Sequence, residues 1–245
     1  MQLKMAERNT SLDADESARV LTDKIFRQEP FFFVRYGDGA LECINGHSGC
    51  TVDREFYSKE LGIELFAAWQ HLMHGQHIYV GDWLSASFDA GSRYARYETQ
   101  YAQLIGKASP AWLHFEALLL MRESDALVDF YRAIKADERR KLYMGPEGNA
   151  GAARMLGATH LITPMQGLFE ECESLFLKLA DFYEFDVLLY GAGMAGHIPV
   201  VKCWQRFPER TYINLGSALD PLFRGRSRRQ QITPERARIL FKDLL

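Results

Sequence analysis

No run of apolar residues in this sequence approaches the ~20 needed to cross a bilayer, so no membrane span is expected. The N-terminal stretch MQLKMAERNTSLDADES is polar and has no signal-peptide core. Cysteine is scarce. The four residues Cys43, Cys50, Cys172 and Cys203 form no Cys-x-x-Cys pair, which excludes a disulfide scaffold or zinc ribbon and leaves free thiols in a reducing cytoplasm as the expectation. There is no excess of basic charge either. The net charge of -3 implies no general attraction to nucleic acid or to an anionic membrane. Repeats and low-complexity tracts are missing. His71, His74 and His77 stand three apart, but His77 falls at the start of a strand, so the three cannot share a helical face and metal ligation by them is not expected.

The remaining composition is that of a folded domain. With 245 residues, 47% apolar and 25% charged, the chain can bury a sizeable core in a single α/β domain. Residues 1–30 read as an N-terminal helix, 31–223 as a Rossmann-like core, and 224–245 as an Arg-rich arm and final helix. Thr10 with Asp13 three residues on is a capping-box-like start to a helix carrying Ala14, Ala18, Leu21 and Ile25. A strand over 31–34 and a long loop over 39–53 follow. The next helix starts near Asp53, shows Leu61, Leu65, Ala68 and Leu72 on one face, and stops at Gly75. Further strands are expected at 76–80, 141–144, 159–163, 186–190 and 211–215. Between them lie helices bearing Tyr94, Tyr97, Tyr101 and Leu104; Leu127, Tyr131 and Ile134; Ala152, Ala153 and Leu156; and a long one with Leu168, Cys172, Leu175, Leu179 and Phe182. Periodicity does not decide between strand and helix for 112–120. Strands alternating with helices of this length predict a mostly parallel, Rossmann-like sheet flanked by helices.

Two stretches carry chemistry. In the first, the apolar run Phe31 to Val34 breaks into Arg35-Tyr36-Gly37-Asp38-Gly39, with Glu42 close behind. A buried strand ending in Gly-Asp-Gly puts a carboxylate at its carboxyl end, where open α/β sheets bind ligands. Carboxylates there suit a hard cation and Arg suits phosphate. The same residues would also serve a strand followed by a plain Asp-Gly turn. In the second, Asp186 to Tyr190 runs into Gly191-Ala192-Gly193-Met194-Ala195-Gly196, a Gly-x-Gly-x-x-Gly turn after a strand and before a helix. Such a turn allows close backbone approach and aims a helix N-terminus at phosphate. It lies late in the chain, and the next strand ends in Asn214 where a NAD site has an acidic residue, so a plain NAD site is disfavoured. Beyond Ser217 and Asp220, the cluster Arg224, Arg226, Arg228 and Arg229 is placed to fold over a diphosphate or to form a solvated basic patch.

Together RYGDG, the late YGAG and NLGSALDPLFRGRSRR resemble the GT-D fold glycosyltransferases, a family first catalogued as a bacterial domain of unknown function. The resemblance runs from about Phe31 to Arg229. It implies a Rossmann-like sheet, a sugar-nucleotide donor (UDP-glucose in the best-known case) and Mn²⁺ or Mg²⁺ held by an Asp-x-Glu motif. Asp38 matches the Asp, but the Glu position is Ala40. Glu42 is the candidate second ligand, since Asp38 and Glu42 share a face either on a strand or on a helical turn. The resemblance further implies donor contacts from Arg35, Gly37, Gly39, Gly191, Ala192, Gly193, Ser217, Asp220, Arg226 and Arg228. Asp82 and Glu147, each just past an expected strand, are candidates for an acceptor base. The acceptor itself, whether glycan, protein, lipid-linked sugar or modified base, is not legible; the apolar helix stripes would permit a homodimer. The rival readings are an S-adenosylmethionine-dependent transferase and a nucleotide-sugar-binding protein that has lost catalysis, the latter motivated by Ala40.

Overall fold

The computed structural model describes residues 12–51, 54–87, 91–105, 111–226 and 231–245. Helix α1 (Ala14–Phe26) begins at a true capping box. Asp13 is the cap and Glu16 its return partner, each side chain accepting from the other's backbone N–H at 2.8 Å. Thr10, expected to open this box, lies outside the described residues. Strand β1 (Phe32–Val34) follows, and its three side chains are fully buried. Successive strand side chains point to opposite faces, so this run requires cover on both sides of the sheet.

The segment expected to be a long loop instead opens with helix α2 (Asp38–Ile44). Gly37 is its extended N-cap residue, and Ala40, Leu41 and Cys43 bury one face that the glycines around them obscure in the sequence. Helix α3 (Lys59–Met73) starts at Ser58, whose hydroxyl accepts from the Leu61 N–H, rather than near Asp53, which lies outside the described residues. Strand β2 (Ile78–Asp82) sits two residues later than expected. Helix α4 (Gly91–Ile105) carries the Tyr stripe, and β3 (Ala111–His114) resolves the ambiguous 112–120 stretch as a strand followed by turns. Then come α5 (Asp125–Ala136), β4 (Lys141–Gly145), α6 (Ala150–Met155), β5 (Thr159–Ile162) and α7 (Cys172–Leu177). The long helix expected there is shorter, since its last turn, Lys178–Phe182, widens to π-helical geometry. Strand β6 (Val187–Tyr190), α8 (His197–Arg206), β7 (Thr211–Asn214), α9 (Asp220–Phe223) and α10 (Pro234–Leu240) complete the chain.

The seven strands form one sheet in the order β3-β2-β1-β7-β6-β4-β5. Every pairing within it is parallel, including Val34 with Val80, Phe33 with Ile213 and Tyr190 with Asn214. Around Phe32, the rings of Tyr212, Trp204 and Tyr190 close in at 5.4, 6.0 and 6.3 Å between centroids. Helices α1 and α5 pack together, as do α3 and α8. From β1 the chain moves outward through β2 to β3, crosses to β4 and β5 at the other edge, then returns through β6 to β7 beside β1. Strand order therefore reverses between β1 and β7. All carboxyl ends face one edge, so the crevice at this reversal is where a ligand is expected.

Candidate functional site

A cavity of about 560 Å³ runs along the carboxyl ends of the strands. Arg35, directly after β1, forms its floor. The side chain is 6% exposed. Its Nη2 donates to the Leu215 carbonyl at 2.9 Å and its guanidinium lies 5.4 Å from the Phe115 ring centre. Its Nε, also buried, has no hydrogen-bond partner among the described residues. Burial lowers the Arg35 pKa to about 10, so it stays cationic at neutral pH. Gly81 makes room for it, because a Cβ there would stand 2.6 Å from Arg35 Cγ. Gly216, at φ +53°, lets the β7 turn pass beside Nη2. Arg35 thus places a buried positive charge beside the cavity, and such a charge favours an anion there.

Asp38 opens α2 at the cavity wall and accepts from the Gly39 N–H at 3.0 Å. Gly39 is packed beneath the strap that follows; a Cβ there would lie 2.9 Å from Thr51 Cγ2. The strap's ends pair, with Cys50 and Phe56 forming an antiparallel bridge and the Tyr57 N–H donating to the Gly49 carbonyl. Tyr57 reaches the cavity, its pKa raised to about 12 by burial first and then by the charges of Asp38 and Glu42.

Glu55, also on the strap, is buried and lines the cavity. Its carboxylate accepts from the N–H groups of Met194 (3.0 Å) and Ala195 (3.3 Å). Those are donors of the glycine turn that a phosphate was expected to use. The turn is therefore tied to a carboxylate of this chain, a correction to the plain phosphate-loop expectation. Gly193 adopts φ +70°, and a Cβ on it would stand 3.0 Å from Glu55 Oε2. Gly191 packs against the Gly216 carbonyl, where a Cβ would stand at 2.7 Å.

At the far wall, Asp220 is buried and pairs with Arg224 (3.7 Å) and Arg226 (3.5 Å), all three lining the cavity. Gln231 donates to the Ser217 carbonyl at 3.0 Å, returning the chain to the cavity edge. Arg224 and Arg226 thus line the cavity, while Arg228 and Arg229 lie outside the described residues.

The cavity brings together Arg35, Gly37, Asp38, Gly39, Gly191, Ala192, Gly193, Ser217, Asp220 and Arg226. Three expected members do not line it. Glu42 shares α2 with Asp38, but its carboxylate pairs with His47 and with Arg93 (2.5 Å). Asp82 is fully buried and accepts from the Leu84 N–H at 2.9 Å, serving as a turn cap rather than a base. Glu147 is exposed at the start of a short 3-10 turn. Ala40 does line the cavity and is buried, at the position where the sequence resemblance implies a second carboxylate. No group of three or more His, Cys, Asp or Glu side chains among the described residues is arranged to hold a metal ion.

Sequence reasoning missed Glu55 and His197. Glu55 sits in a stretch with no periodicity and is placed only by the strap's path. His197 directly follows Gly196 and was available as the first helical residue behind the glycine turn.

An all-parallel sheet with a buried Arg after β1 and a glycine turn after β6 defines an α/β protein with a cavity at its switch point. This fold is shared with solved glycosyltransferase structures. One, described as the conserved domain of unknown function 1792 with a distinct glycosyltransferase fold, matches with a TM-score of 0.56 and 16% identity over 85% of this chain and 78% of its own. Another, a glycosyltransferase of the same domain type from Streptococcus sanguinis, matches with a TM-score of 0.61 and 15% identity over 84% of this chain and 81% of its own. No family model and no curated protein sequence matches the chain. The likeness is one of fold. Among the described residues, no helix is long and apolar enough to cross a membrane.

Proposed function

We propose that this protein is a glycosyltransferase that moves a sugar from a nucleoside-diphosphate sugar, with a UDP-sugar as the first candidate, to an acceptor. The observation that carries this reading is Arg35, a buried cation lining a switch-point cavity, in a chain with a glycosyltransferase fold. Arg35 binds the donor's diphosphate and offsets the negative charge that grows on the leaving nucleoside diphosphate. Ser217 and the Arg224–Arg226 segment border the same ligand. Glu55 holds the strap against the glycine turn and so keeps that wall of the cavity in place.

Mg²⁺ or Mn²⁺ fits this donor set in one form. Such ions are often bound by one or two carboxylates together with substrate phosphates, and here Asp38 is the carboxylate at the mouth of β1. Bound there with the donor, the ion would neutralise diphosphate charge.

The test is a transfer assay with a panel of UDP-, GDP-, CMP- and dTDP-sugars against glycan, peptide and lipid-linked acceptors, with and without Mn²⁺. Release of one nucleoside diphosphate, lost in Asp38→Ala, supports the reading. Ala40, together with the Glu42 carboxylate held by His47 and Arg93, favours a second reading, a nucleotide-sugar-binding protein without turnover. Donor binding with no product on any acceptor would select it.

A further inference from the structure

His197 opens α8 directly behind the glycine turn and is 3% exposed. One face of its ring stacks on Tyr36, with centroids 4.5 Å apart and planes 11° from parallel. Its Nδ1 lies 3.1 Å from the Tyr190 hydroxyl. His197 lines the cavity, and its Nε2 is the ring nitrogen not engaged by Tyr190. Asn214, paired in register with Tyr190 across β6 and β7, hydrogen-bonds to the same hydroxyl.

The proton order in this chain of three follows from which end of the Asn214 amide meets the Tyr190 oxygen. Asn214 meets the Tyr190 hydroxyl through its amide, and with the amide N–H as donor the Tyr190 oxygen accepts. The one phenolic proton is then directed at His197 Nδ1. An imidazole that accepts at Nδ1 carries its proton on Nε2. We propose that His197 is a donor-substrate binding residue whose Nε2–H, fixed by the Asn214–Tyr190 relay, hydrogen-bonds an oxygen of the nucleoside-diphosphate sugar. The ligand in this statement rests on the transferase reading; the tautomer does not.

The surroundings favour this form. Arg35, from the end of β1, disfavours a second positive charge, and so does the N-terminus of α8. Tyr36 and Tyr190 press on the ring and supply no carboxylate. Burial first, then the Arg35 charge, lowers the His197 pKa to about 3. Arg35 thereby provides the positive charge of this wall and His197 a directed hydrogen bond without charge. A proton on Nε2 facing the cavity also prevents His197 from accepting one from an acceptor hydroxyl there.

The experiment uses full-length protein with ¹⁵N-labelled histidine. Long-range imidazole ¹H–¹⁵N spectra, assigned with His197→Gln, report the tautomer without any ligand. The expected result is an Nε2–H tautomer from pH 5 to pH 8 that mixes in Tyr190→Phe. An Nδ1–H tautomer or an imidazolium in this range overturns the relay. UDP is then titrated as the probe. His197 Nε2 is expected to shift on binding. UDP affinity is expected to fall roughly tenfold in His197→Ala and to recover in part in His197→Gln, whose amide keeps an N–H donor. A merely structural role would not give that recovery. UDP binding with an unmoved Nε2 and undiminished affinity in His197→Ala overturns the assignment alone. No UDP binding by the wild-type protein overturns the donor reading and the binding role of His197 together.

Discussion

The carboxylate of Glu55 lies 3.0 Å from the backbone nitrogen of Met194 and accepts its N–H, with Ala195 donating to the other oxygen at 3.3 Å. A side chain far away in sequence thus occupies the donors that a glycine-rich turn conventionally offers to phosphate. Glu55→Ala leaves a buried N–H pair exposed to the cavity and releases the strap. Hydrogen bonds to a charged group contribute about 1.5–3 kcal/mol each way of counting, so a loss on the order of 2 kcal/mol and a fall in Tm of roughly 4–8 °C are expected. Because Glu55 holds that wall of the cavity in place, UDP affinity should fall along with stability. Calorimetry checks both, and an unchanged UDP affinity with a lowered Tm would show that the wall does not depend on Glu55.

Gly81→Ala should act through Arg35. The added methyl would stand 2.6 Å from Arg35 Cγ and 3.3 Å from the Phe115 backbone, so the Arg side chain must move. Overpacking of this kind costs about 1–3 kcal/mol. The expected outcome is a modest fall in Tm with a disproportionate loss of diphosphate binding, read by chemical denaturation and UDP titration. Equal UDP affinity in wild type and Gly81→Ala would show that the position of Arg35 does not matter to the ligand.

Asp38 and Glu42 should part company under mutation although both lie on α2. Asp38→Asn removes the carboxylate at the cavity wall and is expected to abolish transfer while Tm stays within a few degrees. Glu42→Gln weakens pairs with His47 and Arg93 outside the cavity. These are partly solvent-accessible pairs, worth at most about 1 kcal/mol, and donor affinity should change less than twofold. A loss of Mn²⁺-dependent transfer in Glu42→Gln equal to that in Asp38→Asn would restore Glu42 as a metal ligand.

Stability should fall on the acid side in part because of His197. Its folded pKa, about 3, lies below the ordinary imidazole value of 6.5. Between those values the unfolded chain binds the proton and the folded chain does not. Stability from this group is therefore complete above about pH 6.5 and declines as pH falls toward 3, by at most about 1.4 kcal/mol per pH unit. Urea denaturation from pH 7 to pH 4.5 measures the slope. The slope should be shallower in His197→Gln; an unchanged slope would mean that His197 is protonated in the folded state.

The sheet was legible in the sequence where strands are buried on both faces. FFFV and DVLLY are continuous apolar runs, and a parallel sheet covered by helices demands such runs. Asp38 and the glycine turn were legible for the same reason, since each directly follows one of those strands. Helix α2 was hidden because Gly37, Gly39 and Gly46 read as loop, whereas burial of Ala40, Leu41 and Cys43 against α3 outweighs that propensity. Asp82 and Glu147 follow strands as Asp38 does, yet Asp82 points back into its own turn and Glu147 out to solvent. Position after a strand fixes an edge of the sheet, not the direction of a side chain. Glu55 was illegible because its partners stand about 140 residues later in the chain.

Binding of a sugar nucleotide's diphosphate by Arg35 underlies each of these expectations. Thermal denaturation with UDP, UDP-glucose, uridine, NAD and S-adenosylmethionine, each with and without Mn²⁺, tests it most directly. A ligand at a hundredfold excess over its Kd adds about 2.7 kcal/mol of stability. The expected result is a rise in Tm with UDP and UDP-glucose, strengthened by Mn²⁺, no rise with uridine, and loss of the effect in Arg35→Met. A rise with S-adenosylmethionine or NAD and none with any nucleoside diphosphate or its sugar would contradict it.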